Sequence, residues 1–307
     1  MKWIKKGLVF ANTGQLEWSV DSALTPCPIV LENKIRVYAG FRDAEGVSRI
    51  GYVDVDPNDP AKILGVSQKP VLDIGSDGCF DDNGVILGDV VRDGDTLRMY
   101  YVGFQLVKKA KFLAFTGLAV STDGGETFQR VSTAPVLDRA NGEHTIRAIH
   151  TALYDAGKWK IWYASSDRWE LINGKPFPYY HIRYIESVDG IHFGTDSVKC
   201  VDVAFPEYRI GRPRVYKKPD GEYLLFYTKG TVHGDYFPGV AVSKDGIHWE
   251  RRDDQLGIEL SAEGWDSQTL CYPSLVFQPD RTLMFYNGNN MGADGFGYAV
   301  LEGPLQA

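Results

Sequence analysis

The sequence predicts an all-β protein: a five-bladed β-propeller with four antiparallel strands per blade. Two repeated stretches carry that reading. An apolar run leading into Tyr and then a small residue occurs five times: "KIRVYAG" at Tyr38, "LRMYYVG" at Tyr101, "WKIWYAS" at Tyr163, "YLLFYTKG" at Tyr227 and "TLMFYNG" at Tyr286. Successive tyrosines stand 63, 62, 64 and 59 residues apart, a near-constant period that marks a repeated supersecondary unit. The other stretch is a turn with its flanking strands: "AVSTDGGETF" from Ala119, "YIESVDGIHF" from Tyr184 and "AVSKDGIHWE" from Ala241.

Each unit has one order of elements. A short strand runs into a turn of Asp, Gly, Lys or Asn ("LENK", "RDGDT", "DAGK", "KPDGE", "QPDRT"), and the Tyr strand follows. In the middle three units a third strand comes next ("TGLAVS", "HIRYIES", "PGVAVS"), then the Asp-Gly turn, then a fourth strand carrying Phe128, Phe193 or Trp249. Asx-Gly pairs between apolar runs are hairpin signals. His248 and Trp249 are read as structural parts of that outer hairpin. The last unit stops after its third strand, "GFGYAVLE", and an extra strand, "KWIKKGLVF", precedes the first. The N-terminal strand is therefore expected to complete the last blade and remove its open edge. The units fill residues 1–307 as a single domain.

Composition agrees with many short strands and tight turns: 17 Tyr, 7 Trp and 33 Gly in 307 residues, 44% hydrophobic. Helical heptads and strand–helix alternation are absent. The net charge of −7 argues against a nucleic-acid partner. No apolar run approaches the ~20 residues that span a membrane. "MKWIKKGLVF" has neither the apolar core nor the cleavage site of a signal peptide, so a cytoplasmic location is expected. Cys27, Cys79, Cys200 and Cys271 form no CxxC pair and read as free thiols.

Alternating strand direction places the starts of the inner strands and the ends of the Tyr strands on one face. There the chain supplies Arg, carboxylates, amides and aromatics, a mixture suited to a carbohydrate or activated-sugar ligand. The chemistry that fits is cleavage of a glycosidic bond by two carboxyl groups. The candidate catalytic residues are Asp82, Glu207, Asp43 and Asp266, with Glu207 as acid and Asp82 as base or nucleophile. The Arg residues that follow Glu207 (Arg209, Arg212, Arg214) oppose the acid role by depressing its pKa. Candidate binding residues are Arg42, Asp81, Arg147, His150, Asp167 and Trp169, with Arg212, Lys229, Tyr272, Asn287 and Asn289. The arginines favour an anionic substrate or phosphate as co-substrate. No organic cofactor is expected and no metal ligands are assigned; the central channel is the place for a structural calcium ion, for which the sequence carries no signature.

"FDDNGVILGDVV", "EYRIGRPRVYKKPDGEYLLFYTKG" and "GWDSQTLCYPS…LMFYNGNNMGADGFGYAV", with the five-unit pattern, resemble the five-bladed β-propeller glycosidases: glycoside hydrolase families 43, 32, 68 and 130 and their glycosidase-like relatives. The resemblance covers nearly the full chain. It implies carboxylate catalysis at the propeller mouth and supports Asp81 and Asp82, since "FDDNGVILG" is similar to the segment entering blade two of fructan-cleaving members. Two departures follow. "LTPCPIV" lacks the Asp that families 43 and 32 place in the first inner strand, and "IRAIHTALYD" stands where fructan-cleaving enzymes carry Arg-Asp-Pro. Hydrolysis or phosphorolysis is the first expectation. The alternative is a propeller that binds sugar without cleaving it, in surface-polysaccharide metabolism.

Overall fold

The computed structural model describes residues 1–306. Its regular structure is all β apart from two short 3₁₀ turns, 253–255 and 290–292. β1 (Trp3–Phe10) precedes five successive antiparallel units. The first is β2 (Asp21–Leu31), β3 (Lys34–Arg42), β4 (Ser48–Val55) and β5 (Ile63–Val66); the second is β6 (Val85–Asp93), β7 (Thr96–Leu106), β8 (Phe112–Ser121) and β9 (Gln129–Arg130). The third is β10 (Ile146–Asp155), β11 (Lys158–Ile172), β12 (Lys175–Ser187) and β13 (Val198–Val201); the fourth is β14 (Glu207–Lys217), β15 (Tyr223–Thr231), β16 (Tyr236–Ser243) and β17 (Glu250–Arg251). The fifth has β18 (Cys271–Phe277), β19 (Thr282–Asn287) and β20 (Phe296–Leu301), and β1 pairs with β20 as its fourth strand.

The outer strands differ from expectation. β9 and β17 are two residues long, and Phe128, Phe193 and Trp249 all lie just ahead of the fourth strands and outside them. Packing explains this for Phe128. Its ring is buried edge-on against Tyr38 at 5.7 Å, in the layer between the first two units, which draws it off the ladder.

The repeated tyrosines have a packing reason. Tyr101, Tyr227 and Tyr286 stand opposite Gly117, Gly239 and Gly297 on the neighbouring strand. A Cβ added at Gly117 or Gly239 would come within 2.2 Å of the Tyr101 or Tyr227 ring. Glycine inside these strands makes room for the ring.

The repeated turn has one as well. Ser121, Ser187 and Ser243 each accept from the N–H of Gly125, Gly190 or Gly246 at 2.9 Å. The carbonyl of that glycine then accepts from the preceding unit: Tyr38 Oη at 2.9 Å to Gly125, Tyr100 Oη at 2.9 Å to Gly190, and Trp162 Nε1 at 2.7 Å to Gly246. Each turn is thus a clasp between consecutive units. His248 closes its own turn through Nδ1 to Asp245 at 2.7 Å, consistent with a structural role.

Hydrogen bonding leaves the sheets open, with no ladder between the fifth unit and the first. Side-chain packing links them instead. One apolar cluster lies between each pair of consecutive units, and another joins Val276, Leu283 and Phe285 of the fifth to Ile35, Val37 and Phe41 of the first. The inner strands β2, β6, β10, β14 and β18 approach one another in that order, and β18 returns to β2.

All five inner strands slip register at the same level. The irregularity falls at Thr25-Pro26, Gly88, His150, Arg212-Pro213 and Tyr272-Pro273. These bulges meet around a small central cavity of about 20 Å³. Bulges re-aim side chains, and here they form the floor of the cleft described next.

Candidate ligand-binding cleft

Above that floor lie two adjoining cavities of about 340 and 300 Å³. The first is walled by aromatic rings: Phe104, Phe112, Trp169, Phe177 and Tyr180. Three of these come from the long β11/β12 hairpin, which bulges between Ser165 and Arg168. Phe112 packs edge-on against Trp169 at 4.9 Å. The second cavity has four polar side chains that the first lacks, Thr25, Ser48, Asn83 and Tyr272.

The charges in the cleft are of one sign. Arg42, Lys111, Arg209 and Arg212 line it, and no carboxylate appears in the lining of either cavity. Elsewhere buried cations are paired: Arg36 with Asp54, Arg130 with Asp81, Arg147 with Glu143 and Arg214 with Asp89. Arg209 has only rings around it, Tyr236 at 4.4 Å, Tyr208 at 5.0 Å and Phe177 at 5.7 Å, and its buried Nε has no partner. Trp169 Nε1 is likewise buried without a partner. Burying a charge without a counter-charge is costly, and aromatic faces offset only part of that cost.

Arg212 donates to the Leu87 carbonyl at 2.6 Å and stands 3.4 Å from His150 Nδ1. A guanidinium has no acceptor, so the His150 ring holds its proton on Nε2. Burial first, then the charges of Arg212 and Arg214, keep His150 well below its ordinary value of 6.5, and the ring is neutral at pH 7. Thr25, Arg212, Tyr272 and Met291 all have φ between 55° and 57°. Such left-handed non-glycine residues are uncommon and gather at functional sites; four of the eight among the described residues line the cleft.

Of the residues selected from the sequence, the structure brings together Arg42, His150, Trp169, Arg212 and Tyr272. The others face different partners. Asp43 accepts from Arg49 at 2.6 Å and from the N–H of Val47 and Glu45. Asp82 caps the Gly78 N–H at 2.9 Å. Glu207 is held by Arg251 through two bonds of 2.5 and 2.9 Å. Burial raises its carboxyl, but the Arg251 and Ala204 hydrogen bonds outweigh that and hold it below the usual carboxylate range. The depression expected from Arg209, Arg212 and Arg214 therefore comes from Arg251, which lies on the outer strand paired beside β16. Arg147 turns to Glu143 and to the Asp138 carbonyl. Lys229 binds Asp253 at 2.5 Å, and Asp167 lies 3.3 Å from its neighbour Arg168. Asn287 and Asn289 bond backbone groups, including Thr25 N–H at 2.7 Å and Gln268 N–H at 2.7 Å.

Four carboxylates, Glu143, Asp253, Asp266 and Asp81, stand beside a repeated tyrosine, and three of them accept a hydrogen bond from its hydroxyl. Tyr163 donates to Glu143 at 2.7 Å, Tyr227 to Asp253 and Tyr286 to Asp266 at 3.0 Å; each carboxylate also meets a cation, namely Arg147, Lys229 with Arg251, and Lys5. In the second unit Tyr101 lies beside Asp81 and Arg130, and burial first, then the Asp81 charge, push its hydroxyl up. The repeated Tyr thus faces a carboxylate–cation pair in four units, and Asp81 and Asp266 belong to that repeat.

Sequence reading missed Lys111, the rings of Phe104, Phe112, Phe177 and Tyr180, and two buried carboxylates, Asp89 and Glu143. Asp89 had a signal: it interrupts an apolar inner strand, "VILGDVV". It pairs with Arg214 at 2.6 Å and accepts the Ala152 N–H at 2.9 Å. The central cavity presents Arg212 and Arg214, a donor set that does not fit a calcium ion. Among the described residues no group of three His, Cys, Asp or Glu side chains is arranged to hold a metal. The four cysteines are unpaired, and no helix is long and apolar enough to cross a membrane.

The fold is that of glycoside-hydrolase-like proteins. It matches a glycosyl hydrolase from Bacteroides ovatus with a TM-score of 0.73 over 98% of this chain and 93% of that one, at 15% identity. A structure described under a family of mannoside phosphorylases that contains glycoside hydrolases targeting β-1,2 mannosidic linkages matches with a TM-score of 0.72 over 97% and 93%, at 14% identity. An endo-arabinase from Bacteroides thetaiotaomicron matches at 0.66 over 97% and 99%, at 12% identity. No family model matches the chain. By sequence the chain belongs to the family of the Mycobacterium tuberculosis protein named "Uncharacterized protein Rv1502", to which it is 34% identical over 304 residues, 98% of this chain and 100% of that one.

Proposed function

We propose that the five units are blades of one propeller, and that its cleft is the recognition site of a carbohydrate-active protein for an anionic sugar ligand. One observation carries this reading: four cations, Arg42, Lys111, Arg209 and Arg212, converge on a cleft whose lining holds no carboxylate. Guanidinium groups pair with phosphate and carboxylate oxygens through parallel hydrogen bonds. Trp169 and Phe112 beside them offer apolar faces for a sugar ring. The cyclic packing of the units and the fold likeness to glycoside hydrolases and phosphorylases support the propeller and the carbohydrate class.

A second reading, cleavage of the bound glycoside, draws on Asp82, which immediately precedes the cleft residue Asn83. Cleavage by two carboxyl groups needs both to face the scissile bond, about 5–9.5 Å apart. Asp43 and Glu207 give both carboxylate oxygens to cations and N–H groups, and Asp266 gives one to Lys5 and Tyr286. The geometry therefore favours recognition over two-carboxylate hydrolysis. Phosphorolysis would place phosphate on the cleft arginines.

A thermal-shift screen separates the readings. Monosaccharides, uronic acids, sugar phosphates and phosphate are tested on wild type, Arg212→Met and Asp82→Asn. A ligand at 100 times its Kd stabilises by about 2.7 kcal/mol. Stabilisation by an anionic sugar, lost in Arg212→Met and kept in Asp82→Asn, supports recognition. Phosphate-dependent turnover lost in Asp82→Asn supports phosphorolysis. No response to any anionic sugar contradicts recognition, and no turnover with phosphate present contradicts phosphorolysis.

A further inference from the structure

The position of the charges says more about the ligand than their sign. The two cavities are contiguous, and the side chains common to both are three cations, Arg42, Lys111 and Arg212, with Ile86, Phe104, Phe112 and Met291. The cations therefore stand at the junction. Resting on the anionic-sugar reading, we infer that the anionic group of the ligand is internal: a phosphodiester or pyrophosphate bridge, with a ring stacked in the first cavity on one side and a hydroxyl-bearing group in the second cavity on the other.

The two arms differ in chemistry. On one side lie the rings of Trp169, Phe177 and Tyr180, with Arg209 supplying an unpartnered N–H among its rings. Stacking on aromatic rings tolerates either a sugar face or a nucleobase. On the other side Ser48, Asn83 and Thr25 offer hydroxyl and amide groups, and the buried Thr25 hydroxyl has no partner. A terminal phosphate seated at the junction would leave one cavity filled only by water. A bridged ligand fills both, and its bridge oxygens meet all three shared cations. Met291 also borders both cavities, in a left-handed conformation at φ 55°. Its turn is tied down by Asn289, whose N–H donates to the Trp265 carbonyl at 2.7 Å.

Calorimetric titration with three probes tests this: glucose 1-phosphate, uridine diphosphate glucose, and a diglycosyl phosphodiester. The expected result is that at least one bridged probe binds about tenfold or more tightly than the monoester. Trp169→Leu and Asn83→Ala, one variant for each arm, should each remove most of that gain, with thermal melts showing that each variant is folded. A gain with the uridine probe alone assigns the aromatic arm to a nucleobase, and a gain with both assigns it to any stacking ring. Equal affinity for monoester and bridged probes, or a gain untouched by both variants, overturns the internal-anion inference and leaves the anionic-sugar reading standing. Failure of all three probes to bind overturns both.

Discussion

Glu207 is clamped by both terminal nitrogens of Arg251, at 2.5 and 2.9 Å, although 44 residues separate them in the chain. Arg251 also meets Asp253 at 2.7 Å, and Lys229 stands 3.6 Å from Glu207. The carboxylate that looks most like a catalytic acid is thus the centre of a charge network. Glu207→Gln should lower stability by about 2–3 kcal/mol, at or below the low end for breaking a buried pair because Asp253 remains. Urea unfolding midpoints give the stability, and ligand affinity in the same variant should stay at the wild-type level.

Arg209 gives the opposite pattern. Its guanidinium is enclosed by Tyr208, Tyr236 and Phe177 and has no carboxylate partner. Removing a half-buried charge with no counter-charge relieves part of a desolvation cost. Arg209→Met should keep or raise the melting temperature while weakening anionic ligands about tenfold or more, the loss of one charged hydrogen bond. Calorimetry and thermal melts on one sample give both quantities. A destabilised variant with full affinity would make Arg209 structural.

The clasps between units should act as separate, local contributions. Tyr100→Phe removes the hydroxyl that donates to Gly190 and leaves that buried carbonyl without it. The expected cost is about 1–3 kcal/mol. Tyr38→Phe leaves the Gly125 carbonyl a second donor, Arg36 at 3.0 Å, so its cost should be smaller. Chemical denaturation of the two variants tests the order.

Stability should fall in mild acid. Burial first, then the Lys199 charge, lower His181 from 6.5 to about 4, and burial and two arginines hold His150 well below 6.5. Between pH 6.5 and 4 the unfolded chain binds protons at these positions and the folded chain does not, so stability drops as pH falls. Glu143, Glu207 and Asp266 are lowered in the fold, so their contribution is present above the unfolded carboxylate range and is lost only as pH falls through and below it. The histidines therefore dominate at pH 6.5–5. Melting temperatures of wild type and His181→Gln across that window should converge as pH falls.

The strand repeat was legible because its signals are local: an apolar run into Tyr and a small residue, and a Ser-x-Asp-Gly turn that folds on itself. The use of that turn as a clasp was not, since Tyr100 meets Gly190 from the preceding unit, 90 residues away. Five binding candidates reached the cleft because strand direction alone sets which ends share a face. The partners of the carboxylates were not legible, for a long-range reason. Asp266 meets Lys5 from the other end of the chain at 2.7 Å, and Asp81 meets Arg130 across 49 residues. An unpaired carboxylate and a paired one look the same in sequence. Lys111 and Phe112 lay unselected in a polar-looking loop, where no period marks them.

The most direct test of the unpaired-cation cleft is calorimetric titration of glucose 1-phosphate against glucose, at low and high salt, with wild type and Arg212→Met. The cleft described here predicts that the phosphate ester binds, that glucose does not, and that the affinity falls with salt and is lost in the variant. Equal binding of glucose and its phosphate, indifferent to salt and to Arg212, would contradict it.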